Sequence, residues 1–161
     1  MIEFTVEQES PLRPAVRELI AELNAHLLSL TPAEHCYHMT AEQMADASTT
    51  VFLARTPAGR ALGMGALRRE GGGIAEVKRM FTRPEARGQH VGSAILDRII
   101  DLARREGMTR LVLETCDRHP EAWALYESRG FTRCGPVLNY PYSSWSVFYE
   151  KPLAEGAVAP P

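Results

Sequence analysis

Between Glu76 and Glu106 a strand-like run ends in R-G-Q-H-V-G-S, Arg87 to Ser93, and passes directly into an amphipathic helix. A glycine-bearing turn at a helix N-terminus leaves backbone N–H groups without partners, at the positive end of the helix dipole. Such a turn is a seat for a phosphate group. The helix that follows carries Val91, Ala94, Ile95, Ile99, Leu102 and Ala103 on one face and Asp97, Arg98, Asp101 and Arg105 on the other, so one side of it faces a core. No G-x-x-x-x-G-K-[ST] is present, and the turn follows a meander rather than opening a first βαβ unit. Neither a P-loop nor a dinucleotide-binding fold is therefore expected.

A chain of 161 residues with 45% hydrophobic residues can bury one sizeable core. One domain over 1–153 is expected, followed at 154–161 by A-E-G-A-V-A-P-P, which has no periodic face and reads as a disordered tail. Eighteen basic and twenty acidic residues give a net charge of −2, which excludes a surface built to neutralise a nucleic-acid backbone. No apolar stretch approaches the roughly twenty residues of a membrane span, and Met1 to Val6 lacks a signal-like pattern, so a cytoplasmic protein is expected. Cys36, Cys116 and Cys134 show no C-x-x-C spacing and read as reduced thiols, with no metal site.

Periodicity assigns the remaining elements. Ile2 to Val6 alternates like a strand; Ser10 and Pro11 read as the cap and first position of a helix whose apolar face is Val16, Leu19, Ile20, Leu23, Leu27 and Leu30. Thr31 to Met39 is a loop, and Thr40 with Gln43 forms a capping-box pattern for a short second helix through about Asp46. Thr50 to Arg55, Ala61 to Arg69 and Ile74 to Thr82 form a three-strand meander with turns at T-P-A-G and at Gly71, Gly72 and Gly73. Gly107 ends the third helix, Leu111 to Leu113 is a buried strand, Pro120 to Arg129 is helical, and Phe131 to Cys134 and Trp145 to Lys151 are closing strands. This order requires a mostly antiparallel sheet with one parallel junction, where the third helix crosses between the fourth and fifth strands. Crevices at such junctions bind ligands.

The run E-V-K-R-M-F-T-R-P-E-A-R-G-Q-H-V-G-S-A-I-L resembles the signature of the GNAT superfamily of acyl-CoA-dependent N-acyltransferases, [Q/R]-x-x-G-x-[G/A] at a helix start, with Arg87 and Gly92 at its ends. Pro120 to Phe131, P-E-A-W-A-L-Y-E-S-R-G-F, resembles the later A-x-x-L-Y-x-x-x-G-F block. The resemblance implies an α+β (mixed α/β) fold with a mostly antiparallel sheet of six to seven strands, splayed at strands 4 and 5, and about four helices on both faces. It also implies acetyl-CoA as cosubstrate. The pyrophosphate would rest on the amides of Gln89, His90, Val91, Gly92 and Ser93, with Arg87 and Gly88 alongside. The pantetheine would pair with the backbone of Met80, Phe81 and Thr82, and His119 and Tyr126 would complete the cofactor side. His90 departs from the motif by standing where its first glycine would be. If that position needs φ > 0, a histidine tolerates it better than a branched residue does.

The chemistry implied is acyl transfer from the thioester to a primary amine by direct attack. The amine must lose a proton, since an alkylammonium with a pKa of ~10.4 has no lone pair to attack with. Glu76, eleven residues before Arg87, is the candidate base. Tyr126, in A-L-Y-E, is the candidate acid for the leaving thiolate. The plainer readings are a solvated Glu76 beside Lys78 and a Tyr126 that only packs its ring. A Cys116–His119 nucleophile for thioester hydrolysis is a further alternative. His35 and His38 flank Cys36 without a regular ligand set and read as acceptor-site residues rather than metal ligands. Family members set acceptor specificity with the first helix-loop-helix and the last hairpin, here Glu34, His35, Tyr37 and His38, then Asn139, Tyr140, Tyr142, Ser144 and Trp145. Their mixture of aromatic and hydrogen-bonding groups suits a small polar amine. The competing functions are a non-catalytic acyl-CoA-binding or regulatory module and a protein or peptide N-acetyltransferase. A homodimer is compatible with the resemblance.

Overall fold

The computed structural model describes residues 1–153, so the tail expected at 154–161 lies outside the described residues. The elements run β1 (Thr5–Gln8), α1 (Pro14–Leu30), α2 (Ala41–Met44), β2 (Thr49–Arg55), β3 (Ala61–Gly71), β4 (Ile74–Thr82), α3 (Val91–Arg105), β5 (Arg110–Cys116), α4 (Pro120–Ser128), β6 (Thr132–Cys134) and β7 (Ser146–Pro152). Among the described residues seven strands form one sheet in the order β1-β2-β3-β4-β5-β7-β6, antiparallel throughout except for the β4–β5 pair. The expected mostly antiparallel α+β architecture is the one observed.

Strand β2 shows how the layers are built. Val51, Phe52, Leu53 and Ala54 are all buried, which a half-exposed strand would not allow. Val51 and Leu53 pack with α1 and α2 through Val16, Leu19, Leu23 and Met44, while Phe52 and Ala54 pack with α3 through Ile95, Leu96 and Ile99. Successive side chains point to opposite faces, so a continuous apolar run marks a sheet covered on both. Tyr126 places α4 on the α3 face.

Several boundaries differ from expectation. Strand β5 runs Arg110–Cys116, beyond the apolar Leu111 to Leu113, because it pairs with β7 along its whole length, and α2 ends at Met44 rather than near Asp46. Helix α1 begins at Pro14, with Arg13 as N-cap and no side-chain cap. Ser10 instead closes a turn one step earlier, its Oγ accepting from the Leu12 N–H at 3.2 Å, so the proline at the first helical position is Pro14 rather than Pro11. Strand β1 is displaced toward Gln8 because its register with β2, Thr5 opposite Arg55 through Gln8 opposite Phe52, is set by the partner strand. The capping box of α2 forms as expected, with Gln43 N–H donating to Thr40 Oγ1 at 3.1 Å and Thr40 N–H to Gln43 Oε1 at 2.8 Å.

The functional geometry comes from the β4–β5 junction. Only three rungs join them: Ile74 with Arg110, Ala75 with Leu111, and Glu76 with Val112. Beyond Glu76, β4 continues along β3 and β5 continues along β7, and the two diverge. Strand β4 also bulges there. Its pairing with β3 slips between Met64 and Ala66, and Arg79 takes a left-handed φ of 57°. Gly65 lies opposite the bulge, where a Cβ would stand 2.3 Å from Met80 Sδ and 2.8 Å from Ile95 Cγ2. Glycine is what lets the bulged strand and α3 close over this point.

Candidate active site

The gap between the diverging strands is a cavity of about 400 Å³, walled by β4 and β5 and closed by α1, the 31–38 loop and the N-terminal ends of α3 and α4. Met80, Phe81, Thr82, Arg87, Gly88, His90, Val91, Gly92, Ser93, His119 and Tyr126 line it, as do Glu76, His35, Tyr37, His38 and Tyr140. Asn139, Tyr142, Ser144 and Trp145 lie outside the lining, and two further expected residues stand apart from it. Glu34 is exposed and outside the wall, and the Gln89 side chain turns away to accept from the Ile2 N–H at 2.5 Å.

At one end the turn before α3 presents backbone. The first helical hydrogen bond is Ala94 N–H to His90 O at 3.0 Å, and the amides of Gly88 to Ser93 have no acceptor among the described residues. Gly88 and His90 both have positive φ, 76° and 67°. Alternating hand along a run of free amides makes a concave anion nest, and the helix dipole adds to it. His90 thus meets the condition raised by its departure from the motif: it occupies a left-handed N-cap without a side-chain capping bond. Arg87 Nε donates to Thr82 O at 3.1 Å, which holds its positive group beside the nest. Arg83, also near this turn in sequence, belongs elsewhere, since Glu22 on α1 pairs with it at 2.7 Å. The residues fit a pyrophosphate without requiring a side-chain cage.

At the other end side chains dominate. Glu76, on the last shared β4–β5 rung, is 2% exposed, so it is not a solvated strand residue. Its Oε2 accepts from the Tyr140 hydroxyl and lies 3.4 Å from Lys78 Nζ, which also donates to Tyr140 at 2.7 Å. Burial raises the Glu76 pKa above the usual carboxylate value, and Lys78 and the Tyr140 hydrogen bond restrain the rise. His35 stacks on Trp145 at 5.9 Å and Tyr37 meets Tyr140 edge-on at 5.0 Å, so the 31–38 loop docks on the segment before β7. Tyr142, by contrast, is exposed.

Tyr126 is buried against Phe131 and Tyr149, with ring centroids 5.8 and 5.9 Å away, and it also lines the cavity. Burial raises its pKa, assisted by Glu114 and Tyr149, which keeps the phenol protonated at neutral pH. The pKa of His119 is lowered, first by burial and then by His26, whose ring lies 5.3 Å away. Cys116 Sγ accepts from the Arg118 N–H at 3.4 Å, and no hydrogen bond joins it to His119 among the described residues. Nor do the described residues contain a group of three or more His, Cys, Asp or Glu side chains that could hold a metal ion.

Two cavity residues were missed in the sequence. Glu114 on β5 accepts from Ser146 Oγ at 2.7 Å, and burial raises its pKa. Arg79, at the bulge, is buried and lines the same wall. Each leaves a faint trace, Glu114 as the charge inside L-V-L-E-T-C and Arg79 as the second of two cations that break alternation in E-V-K-R-M-F.

A splayed β4–β5 junction, a bulged β4 and an amide nest at a helix start define an acyl-CoA-dependent transferase. The acetyltransferase (GNAT) family model matches residues 16–131, and the chain belongs to that family. It is 40% identical over 154 residues to an IAA acetyltransferase of Azospirillum brasilense, covering 95% of this chain and 100% of the relative. It is 32% identical to the uncharacterised N-acetyltransferase YsnE of Bacillus subtilis, covering 85% and 93% of the two chains. A solved structure assigned as an acyl-CoA N-acyltransferase of Klebsiella pneumoniae superposes with a TM-score of 0.80 at 29% identity, covering 94% of this chain and 98% of that one. The chain is accordingly an acyltransferase enzyme with an acyl-CoA cosubstrate. No helix among the described residues is long and apolar enough to cross a membrane.

Proposed function

We propose that this enzyme transfers the acetyl group of acetyl-CoA to the primary amine of a small molecule by direct attack, with Glu76 as general base and Tyr126 as general acid. The observation that carries the reading is that two groups able to move protons line one cavity: the buried Glu76 carboxylate, whose pKa is raised by burial, and the buried Tyr126 phenol. The free amides before α3 support the placement of the pyrophosphate. The acetyltransferase activity named for the Azospirillum relative supports acetyl as the transferred group.

When bound, the cosubstrate supplies the acyl group as a thioester. Glu76 accepts a proton from the ammonium, directly or through one water, which frees the nitrogen lone pair. The nitrogen then bonds to the carbonyl carbon as the carbon–sulfur bond breaks, Tyr126 gives its hydroxyl proton to the departing thiolate, and the nitrogen, still carrying one proton more than an amide holds, releases it to solvent. Solvent exchange returns one proton to Tyr126 and removes one from Glu76. The backbone of Met80 to Thr82 has no strand partner on the β5 side, and apart from the Thr82 carbonyl that Arg87 engages it is open to hold the pantetheine as an added strand.

Thiol release measured across a panel of amines tests the proposal. Turnover should appear with at least one small primary amine. Tight acetyl-CoA binding without CoA release from any member of a broad panel would mark a binding module instead.

A further inference from the structure

The acceptor wall contains one cation that proton transfer leaves unused. Arg79 is only 7% exposed, and its left-handed backbone at the bulge turns the side chain toward α1. There Nη2 donates to Asn24 Oδ1, while Nε is buried without a partner among the described residues. Other arginines that bridge elements of this fold meet carboxylates: Arg55 with Glu9, Arg69 with Glu106, Arg83 with Glu22. No such partner reaches Arg79 among the described residues, and burial lowers its pKa to about 10. His38 Nε2 and Thr31 Oγ1, which line the same cavity from the 31–38 loop, are also buried and without a partner among the described residues. The two acids nearby are committed elsewhere, Glu76 to Tyr140 and Lys78, Glu114 to Ser146.

A guanidinium with one neutral partner and an idle donor, facing a cavity, is an expensive arrangement unless a ligand completes it. Its planar donors match a carboxylate in shape as well as charge. We infer that Arg79 receives a carboxylate of the acceptor, so that the substrate is an amine that also carries a carboxylate, its nitrogen toward Glu76 and its acid toward Arg79. Glu76 and Arg79 are three residues apart on one strand, so the strand rise of about 3.3 Å per residue sets a span of roughly 10 Å between their backbones. A molecule of amino-acid size reaches between side chains projecting from those points. His38 and Thr31 provide further hydrogen bonds to the same group.

This inference rests on the amine-acetylating reading, and the test separates the two. Wild-type kcat/KM is measured for matched pairs with and without the carboxylate: phenylalanine and phenethylamine, tyrosine and tyramine, β-alanine and ethylamine. In at least one pair the acid should be preferred by about tenfold or more, the size expected for hydrogen bonds to a charged group. In Arg79→Met that preference should fall toward one through a raised KM for the acid, without a matching rise in the KM for acetyl-CoA, and Arg79→Lys should restore part of it. Equal or better turnover of the amines lacking a carboxylate overturns the inference and leaves the acetylation reading standing. So does an Arg79→Met variant that slows both members of a pair equally. Absence of turnover with every amine, despite acetyl-CoA binding, removes both. If Arg79→Met does not fold, the wild-type preference alone decides.

Discussion

The two ends of the cavity are made of different material. The cofactor end is backbone: free amides from Gly88 to Ser93, two left-handed residues and the unpaired edge of β4. The acceptor end is side chains, with Glu76, Lys78, Arg79, Tyr140, His38 and Glu114 drawn from β4, β5, the 31–38 loop and the segment before β7. A backbone site holds its geometry through local conformation and tolerates changes of side chain. A side-chain site depends on which groups converge and on the charge state burial imposes on each. The first end suits a ligand shared across a family, and the second is where acceptors can be discriminated. The bulge at Arg79 and Met80 is the joint between them.

Removing the proposed proton acceptor, Glu76, should break the acceptor end most severely. Glu76→Gln is expected to lower kcat/KM by roughly 10²- to 10³-fold, the usual share of a positioned base. The sign of the pH dependence follows from the raised Glu76 pKa: the carboxylate acts only when ionised, so wild-type activity rises as pH climbs through that elevated value. In the variant that limb should vanish, leaving only the rise from free amine as pH approaches ~10.4. A loss insensitive to pH would mean that Glu76 organises Tyr140 and Lys78 rather than taking a proton.

Tyr126→Phe should reduce kcat by about 10²-fold while the KM for acetyl-CoA changes little, because the ring packing against Phe131 and Tyr149 is retained. Unchanged kcat would return Tyr126 to a packing role.

The joint is tested by Gly65→Ala, whose added methyl meets Met80 and Ile95; a destabilisation of about 1–3 kcal/mol, read as a lower Tm, is expected from overpacking. The smallest effect belongs to the backbone end. His90→Gly relieves a left-handed non-glycine residue and should gain about 1 kcal/mol in stability while acetyl-CoA affinity is retained. A large loss of affinity would show instead that the imidazole contacts the cosubstrate, and would blur the contrast between the two ends.

Legibility in the sequence followed the same division. β4 occurs at Ile74–Thr82 as read from hydrophobic period, α3 begins at Val91, within the turn motif that marked its approach, and Gly107 follows α3 with φ of 77°. These are local signals, written in neighbouring residues. Expectation failed where a distant partner decides the outcome. The edge strand β1 takes its register from β2, whose paired residues lie more than forty positions later in the chain. Arg79 and Glu114 escaped notice because a charge in a strand has no local marker of facing a cavity. Glu76 and Tyr126 were found through motif spacing, while their buried environments came from Tyr140, Lys78, Phe131 and Tyr149.

By itself, then, the sequence determined the order of elements and the glycine-bearing turn before α3, and it singled out Glu76 and Tyr126 as candidates, because periodicity, turn chemistry and spacing act over a few residues. Tertiary structure decided that β4 and β5 part company after Glu76, that Arg79 is buried without a counter-charge among the described residues, and which carboxylates have raised pKa values. Those are matters of solvent exclusion and long-range pairing, and they exist only once elements far apart in the chain have closed around the same cavity.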